Sequence, residues 1–315
     1  MTYRFKLASL GVISLLVITI FVTINVGGHW DYVLPKRLIK IAAIVLTGIS
    51  IAFATMVFQT ITNNRILTPS IIGLDALYMF IQTLVVYVFG SMSLPIVNKN
   101  FNFLLSITLM MLFVSILFRF LFRREGRNVY FLLLVGIVFG TLFGSMSTFM
   151  QVLIDPNEFQ IVQDRMFASF NNVNTDVLTV AFIAVLLVGA YCIRYYKYFD
   201  VMSLGRDHAL NLGVPYDSVV KRLLIVVAIL ISISTALVGP ITFLGLLVAN
   251  LAHEFLRTYR HKWLISGSML ISIIALVGGQ LIVERVFTFS TTLSVIINFI
   301  GGVYFLYLLL RENKS

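Results

Sequence analysis

The sequence predicts an all-α, polytopic membrane protein of about ten transmembrane helices. Three observations carry that expectation. Hydrophobic residues fill 59% of the 315 positions and charged residues only 11%, whereas a soluble globular chain carries about 25% charged residues. Apolar runs of about 20 residues recur along the whole chain, the length that crosses roughly 30 Å of hydrocarbon as a helix. Lys and Arg are also shared unevenly between alternate connections, the bias that orients helices in a bilayer.

In order, the spans fall at about 7–26, 38–61, 71–91, 102–122, 129–153, 177–196, 220–238, 241–256, 264–283 and 293–310. The first run follows Arg4 and Lys6 as a signal peptide would. It is long for an apolar signal region and no small-x-small cleavage site follows, so it is expected to stay as a span. The fifth span carries Gly136, Gly140 and Gly144, then Ser145, Ser147 and Thr148. Glycines four apart form a smooth stripe that admits a neighbouring backbone; the alternative is a mobile helix lining a pore. The loop after it gathers Asp155, Glu158, Asp164 and Asp176 with Asn171, Asn172 and Asn174, either a solvated surface or a docking face. Between the sixth and seventh spans lies a polar, Gly-punctuated insert at 198–222. The eighth span is short and follows Gly239-Pro240, and the tenth contains Gly301-Gly302, which permits close packing or a bend.

With the N-terminus inside, 17 of the 23 cations fall on the cytoplasmic side, among them Arg119, Arg123, Arg124, Arg127 and Lys197. Lys36, Arg37, Lys40, Lys99, Arg165 and Arg285 remain outside. This bias places both termini and the 198–222 insert in the cytoplasm, and it accounts for the net charge of +10 without nucleic acid.

No Asp, Glu, Lys or Arg stands near the middle of any of these spans. Intramembrane ionisable groups mark proton and ion pathways, so their scarcity weighs against a proton-driven carrier. The amides Gln59, Gln82, Asn250, Gln280 and Asn298 are suited to interhelical hydrogen bonds, or a few of them to a water-filled path. Candidates for that path are Gln59, Gly140, Gly144, Ser145, Thr148 and Asn298. Catalysis finds little support: His29, His208, His253 and His261 are dispersed, and neither HExxH nor CxxC occurs. With no GxxxxGK[ST] loop to cradle phosphate, any nucleotide must be bound by another chain. The single cysteine, Cys192, cannot form an intrachain disulfide.

Three segments carry a family resemblance. Residues 33–77, VLPKRLIKIAAIVLTGISIAFATMVFQTITNNRILTPSIIGLDAL, place Pro35, Lys36, Gly48, Gln59, Asn64, Pro69 and Gly73 in a recognisable run. NLGVPYDSVVKR is followed by VGPITFLGLLVANLA, and the chain closes its last span with GGVYFLYLLLR at 301–311. Together, and in this order, they resemble the FecCD-type permease subunit of iron–siderophore and cobalamin ABC importers.

The resemblance implies one transmembrane permease domain over 1–315, a multi-pass protein of the bacterial cytoplasmic membrane that is a transport subunit and not an enzyme. It implies a second permease subunit, two ATP-binding subunits and an extracytoplasmic substrate-binding lipoprotein that delivers a ferric chelate. This chain would bind no cofactor, ATP and magnesium being held by the partners. The insert would supply the ATPase contact through Leu204, Gly205, Ala209, Leu212, Gly213 and Val214. The residues agree in part: a short helix from Asp207 to Leu212 would end at Gly213, with Ala209 and Leu212 on one apolar side. Docking of the binding protein would fall to Lys36 and Arg285; Arg37 and Lys40 could assist by position, without a motif match. The family pattern is broken at Val33, at Arg65-Ile66-Leu67-Thr68, at Ala249-Asn250, and at Ser294 and Ile296. Those departures lean towards a heterodimer. The alternative is a secondary carrier or channel without an ATPase, which calls for an intramembrane acid or ion site.

Overall fold

The computed structural model describes residues 3–26, 30–90, 97–121, 129–171 and 173–312. His29, Arg123, Arg124, Arg127 and Asn172 lie outside the described residues. Each apolar run forms a helix, as it must where backbone polar groups have no water to bond. The helices are α1 (Tyr3–Thr23), α2 (Trp30–Thr62), α3 (Leu74–Phe89), α4 (Lys99–Leu121), α5 (Val129–Leu153), α6 (Pro156–Met166), α7 (Thr175–Ile193), α8 (Tyr196–Met202), α9 (Arg206–Asn211), α10 (Tyr216–Val238), α11 (Leu244–Leu256), α12 (His261–Arg285) and α13 (Leu293–Glu312). A 3-10 turn, Pro69–Ile72, precedes α3. Eight helices are long and apolar enough to span a bilayer, and α3 and α11 are shorter apolar helices. These are the ten predicted spans.

Burial separates centre from rim. Apolar windows of α2 and α10 are 78% and 72% buried, while those of α1 and α7 are 17% buried. The core is α2 packed against α10, α12 and α11, with α1 laid on α12 and α3 on α5. Helices of the rim keep their apolar faces outward, which in a bilayer means towards lipid or another subunit.

Two spans are short because the chain in front of each is not helical. Residues 63–68 enter the 3-10 turn, and 239–243 enter α11. Non-helical backbone at membrane depth survives only where protein satisfies it, and side-chain amides do so here. Asn64 Oδ1 accepts the Ile66 N–H at 2.8 Å. Gln59 Nε2 donates to the Arg65 carbonyl at 2.5 Å and Asn250 Nδ2 donates to the same oxygen at 3.0 Å. Asn298 Oδ1 accepts the Phe243 N–H at 3.3 Å. Elsewhere Gln82 joins α3 to α4 through Ser106, at 2.9 Å, and Asn102, at 3.1 Å.

Two expectations are corrected. Helix α2 starts at Trp30 rather than near 38, carrying Pro35 inside it. Proline's missing N–H is best tolerated close to a helix start. The third span begins at Leu74, so Asp75 is the second residue of its helix and belongs to the packed bundle. Thr235 and Thr242 each donate a hydroxyl to its carboxylate at 3.3 Å. The chain thus packs an acid into the bundle at the start of α3, tied to α10 and to the link before α11.

The glycine stripe of α5 is a packing surface at two of its three positions. A Cβ on Gly136 would meet Ile71 O and Ile72 Cα at 2.8 Å, and one on Gly140 would meet Gly73 Cα at 3.3 Å. At Gly144 nothing lies within 4 Å.

Candidate functional site

The polar insert builds two short helices outside the spanning ones. Helix α8 buries Phe199 and Met202. The chain then turns through Ser203 and Leu204 to Gly205, at φ 95°. Helix α9 ends at Leu212, and Gly213 takes φ 80°, with its N–H donating to Leu210 O at 2.9 Å. This is the left-handed stop that a glycine after a helix supplies. Arg206 reaches Asp217 at 3.5 Å, an exposed ion pair across the turn.

The six expected contact residues do not share a face. Leu204 is 55% exposed and Leu212 64%, with Gly213 also exposed, Leu210 at 40% and Gly205 half-buried. Ala209 is 0% exposed, and Val214 is buried against the bundle. The expectation that Ala209 and Leu212 lie on one apolar side therefore fails. Leu212 has left helical geometry as the C-cap, so the three-residue spacing that aligns helical side chains no longer applies. The outward tip is Leu204, Leu210 and Leu212.

The hinge into this segment is aromatic. Tyr195 accepts from Arg222 Nη1 at 2.9 Å and shares a hydroxyl contact of 3.0 Å with Tyr191. The bond with Tyr191, then that from Arg222, holds the Tyr195 phenol below its usual range. Its neighbour Tyr196 is pushed up, first by burial and then by the charge of Asp200.

On the opposite face, a depression of about 500 Å³ is lined by Tyr32, Lys36, Arg37, Lys40, Asn171 and Glu284. Its cations are not equally available. Arg37 Nη1 donates to the carbonyls of Phe21, Val22 and Ile24 at 3.0, 2.9 and 2.7 Å. It occupies the last oxygens of α1, which lack partners within the helix. Lys40 is paired with Glu284 at 2.6 Å, and Gln280 also donates to that carboxylate, at 2.9 Å. Lys36 Nζ donates to the Tyr32 hydroxyl and lies 3.9 Å from the centroid of that ring. Arg285 donates to Ile24 O at 3.2 Å. Lys36 and Arg285 are exposed, and Arg37 is half-buried. The two motif-matched cations thus face out, while of the two assisting ones Arg37 is spent on α1 and Lys40 on Glu284.

The path candidates divide as well. Gln59 and Asn298 serve the non-helical links described above, and Gly140 packs on Gly73. Ser145 and Thr148 are exposed on α5, with Thr141 one turn before and Gly144 open beside them. Their spacing sets three hydroxyls on one outward strip. The residues that sequence reasoning missed are Asp75, which stands at the start of a shortened helix, and Asp200, His261 and Thr60, which no local pattern connects.

Comparison with known proteins agrees with this architecture. The model of the FecCD transport family matches residues 6–311. The petrobactin import system permease protein YclO of Bacillus subtilis is 66% identical over 315 residues, covering 100% of both chains. The petrobactin import system permease protein FatC of Bacillus anthracis is 37% identical, covering 89% of this chain and 79% of its own. A solved metal-chelate type ABC transporter in an inward-facing conformation superposes with a TM-score of 0.82, covering 98% of this chain and 99% of its own at 22% identity. That likeness establishes the shared fold.

Proposed function

The chain belongs to the FecCD transport family, and from that premise we propose that it is the transmembrane permease subunit of an ABC importer for a ferric siderophore. The observation that carries this reading is the 66% identity, over the full length of both chains, with a petrobactin import permease. Ferric petrobactin is accordingly the first substrate to test. Permeases of this kind pair with a second permease and with ATPase subunits. The departures at Val33 and Ala249-Asn250 favour a non-identical partner here. ATP and its magnesium stay on the ATPase subunits, and the chain itself is a transport subunit with no reaction of its own.

The geometry supports a division of labour. Charge bias puts the termini and the tip at 204–213 in the cytoplasm, where Leu204, Leu210 and Leu212 offer an apolar contact. Lys36 and Arg285 face the other side, where carboxylates of a binding protein would meet them. The hydroxyl strip of α5 faces outward from this chain, so a path along it is closed only by the second permease. Binding energy that differs between outward- and inward-open states would drive the alternation.

A strain lacking this chain is expected to lose uptake of radiolabelled iron from ferric petrobactin and to regain it with the intact gene. Uptake that persists in the deletion strain, with no related permease present, would sink the assignment. For docking, Arg285→Glu is expected to weaken binding-protein association more at low salt than at physiological salt, because screening shortens electrostatic reach to about 8 Å. Equal affinity at low salt would remove Arg285 from the contact.

A further inference from the structure

The tip of the 198–222 segment is held to the bundle through one polar chain that crosses three elements. Asp200, on α8, places Oδ1 2.8 Å from the backbone N–H of His261 and 2.7 Å from its Nδ1. His261 is the first residue of α12, so that N–H is one of the donors a helix leaves unpaired, and a carboxylate there also meets the positive end of the helix dipole. On the other edge of the ring, Nε2 lies 2.8 Å from Thr60 Oγ1 in the last turn of α2. Phe199 beside Asp200 packs edge-on against Phe53 of α2, centroids 6.4 Å apart, and lies 5.8 Å from the His261 ring.

The Asp200 carboxylate can only accept, so Nδ1 carries the hydrogen that points at it. Thr60 has one hydroxyl hydrogen, with Met56 O at 2.7 Å and His261 Nε2 at 2.8 Å both in reach, and in either arrangement its Oγ1 closes the chain on α2. The ring is sealed, its side chain 6% exposed, whereas Asp200 is 48% exposed. The link is thus a directional, hydrogen-bonded tie between a solvent-facing helix and the inner end of α2.

That end of α2 leads directly to the α5 face. One residue before Thr60, Gln59 holds the Arg65 carbonyl, which Asn250 holds as well. The same link runs on to Gly73, against which Gly136 and Gly140 of α5 pack. Displacement of α8 reaches Thr60 through His261 and enters the backbone next to α5. We infer that Asp200, His261 and Thr60 are positioning residues that transmit movement of the coupling tip to α2 and α12. The inference rests on the permease reading above.

The test is the complete transporter in proteoliposomes, with uptake and ATP hydrolysis measured together. Asp200→Asn and His261→Gln are each expected to lower substrate imported per ATP by about tenfold, the scale of a coupling free energy. ATPase activity should stay within about twofold of wild type. Because the three act as one unit, the double variant should be no worse than either single one. Thr60→Ser keeps the hydroxyl and should keep most of the uptake, while Thr60→Val should lose it. If uptake and hydrolysis fall in proportion in every variant, the residues merely hold the fold and the relay is wrong. Failure of Asp200→Asn to assemble, or defects that multiply in the double variant, would overturn it equally. A wild-type complex that assembles yet imports nothing under ATP points instead at the permease reading.

Discussion

Gly73→Val is expected to cost about 2–5 kcal/mol, combining roughly 1–2 kcal/mol for a left-handed backbone and about 1–3 kcal/mol for overpacking. Gly73 adopts φ 85° between the 3-10 turn and α3. A Cβ there would lie 3.0 Å from Gly136 O and from both N and Cα of Gly140. All three are backbone atoms of α5, so no side chain can rotate aside. The damage should appear as a lower melting midpoint in detergent and a smaller yield of assembled protein. Gly144→Ala is the matched control. It lies on α5, the helix that Gly73 packs against, with nothing within 4 Å of a Cβ, and removing a helical glycine is stabilising by roughly 0.5–1 kcal/mol. Opposite signs at these two glycines are the expected result. A Gly73→Val protein that melts with the wild type would mean that the approach of α3 to α5 contributes nothing.

The contrast also shows what a sequence of this kind discloses. The ten spans were legible because bilayer thickness imposes one length on every apolar run. Helix starts were less so: Trp30 opens α2 eight residues early because polar residues outside the bilayer can extend a helix at no solvation cost, and periodicity carries no mark of that. The glycine stripe was visible, but its neighbours were not, so packing at Gly136 and Gly140 could not be told from openness at Gly144. Gly213 was identifiable as a stop because a left-handed C′ position selects glycine. Arg37 illustrates the opposite case. Its sequence context is a cationic run, and only the fold brings the carbonyls of Phe21, Val22 and Ile24 against it. The Asp200–His261–Thr60 chain joins positions 61 and 201 residues apart, a separation at which local patterning says nothing.

The largest functional effect is expected at the tip of the 204–213 turn. Leu212→Asp should weaken association with the ATPase subunits by about tenfold to a hundredfold. Burying a leucine contributes roughly 1.5–3 kcal/mol, and a carboxylate in its place adds a desolvation penalty. Leu212 is 64% exposed and Leu204 55%, so neither substitution should disturb the isolated permease. That separates the prediction from a folding defect: the melting midpoint should hold while co-purification with the ATPase and substrate uptake both fall. Ala209→Asp is the counter-experiment. Ala209 is fully buried, and a charge placed there should lower the melting midpoint before any question of partner binding arises. Gly213→Val sits between the two. No atom lies within 4 Å of its Cβ, so its cost is the left-handed strain alone, about 1–2 kcal/mol, and it should tilt the tip without unfolding the bundle. If Leu204→Asp and Leu212→Asp leave both co-purification and uptake intact, the tip is an ordinary solvated turn, and the ATPase must grip the permease elsewhere.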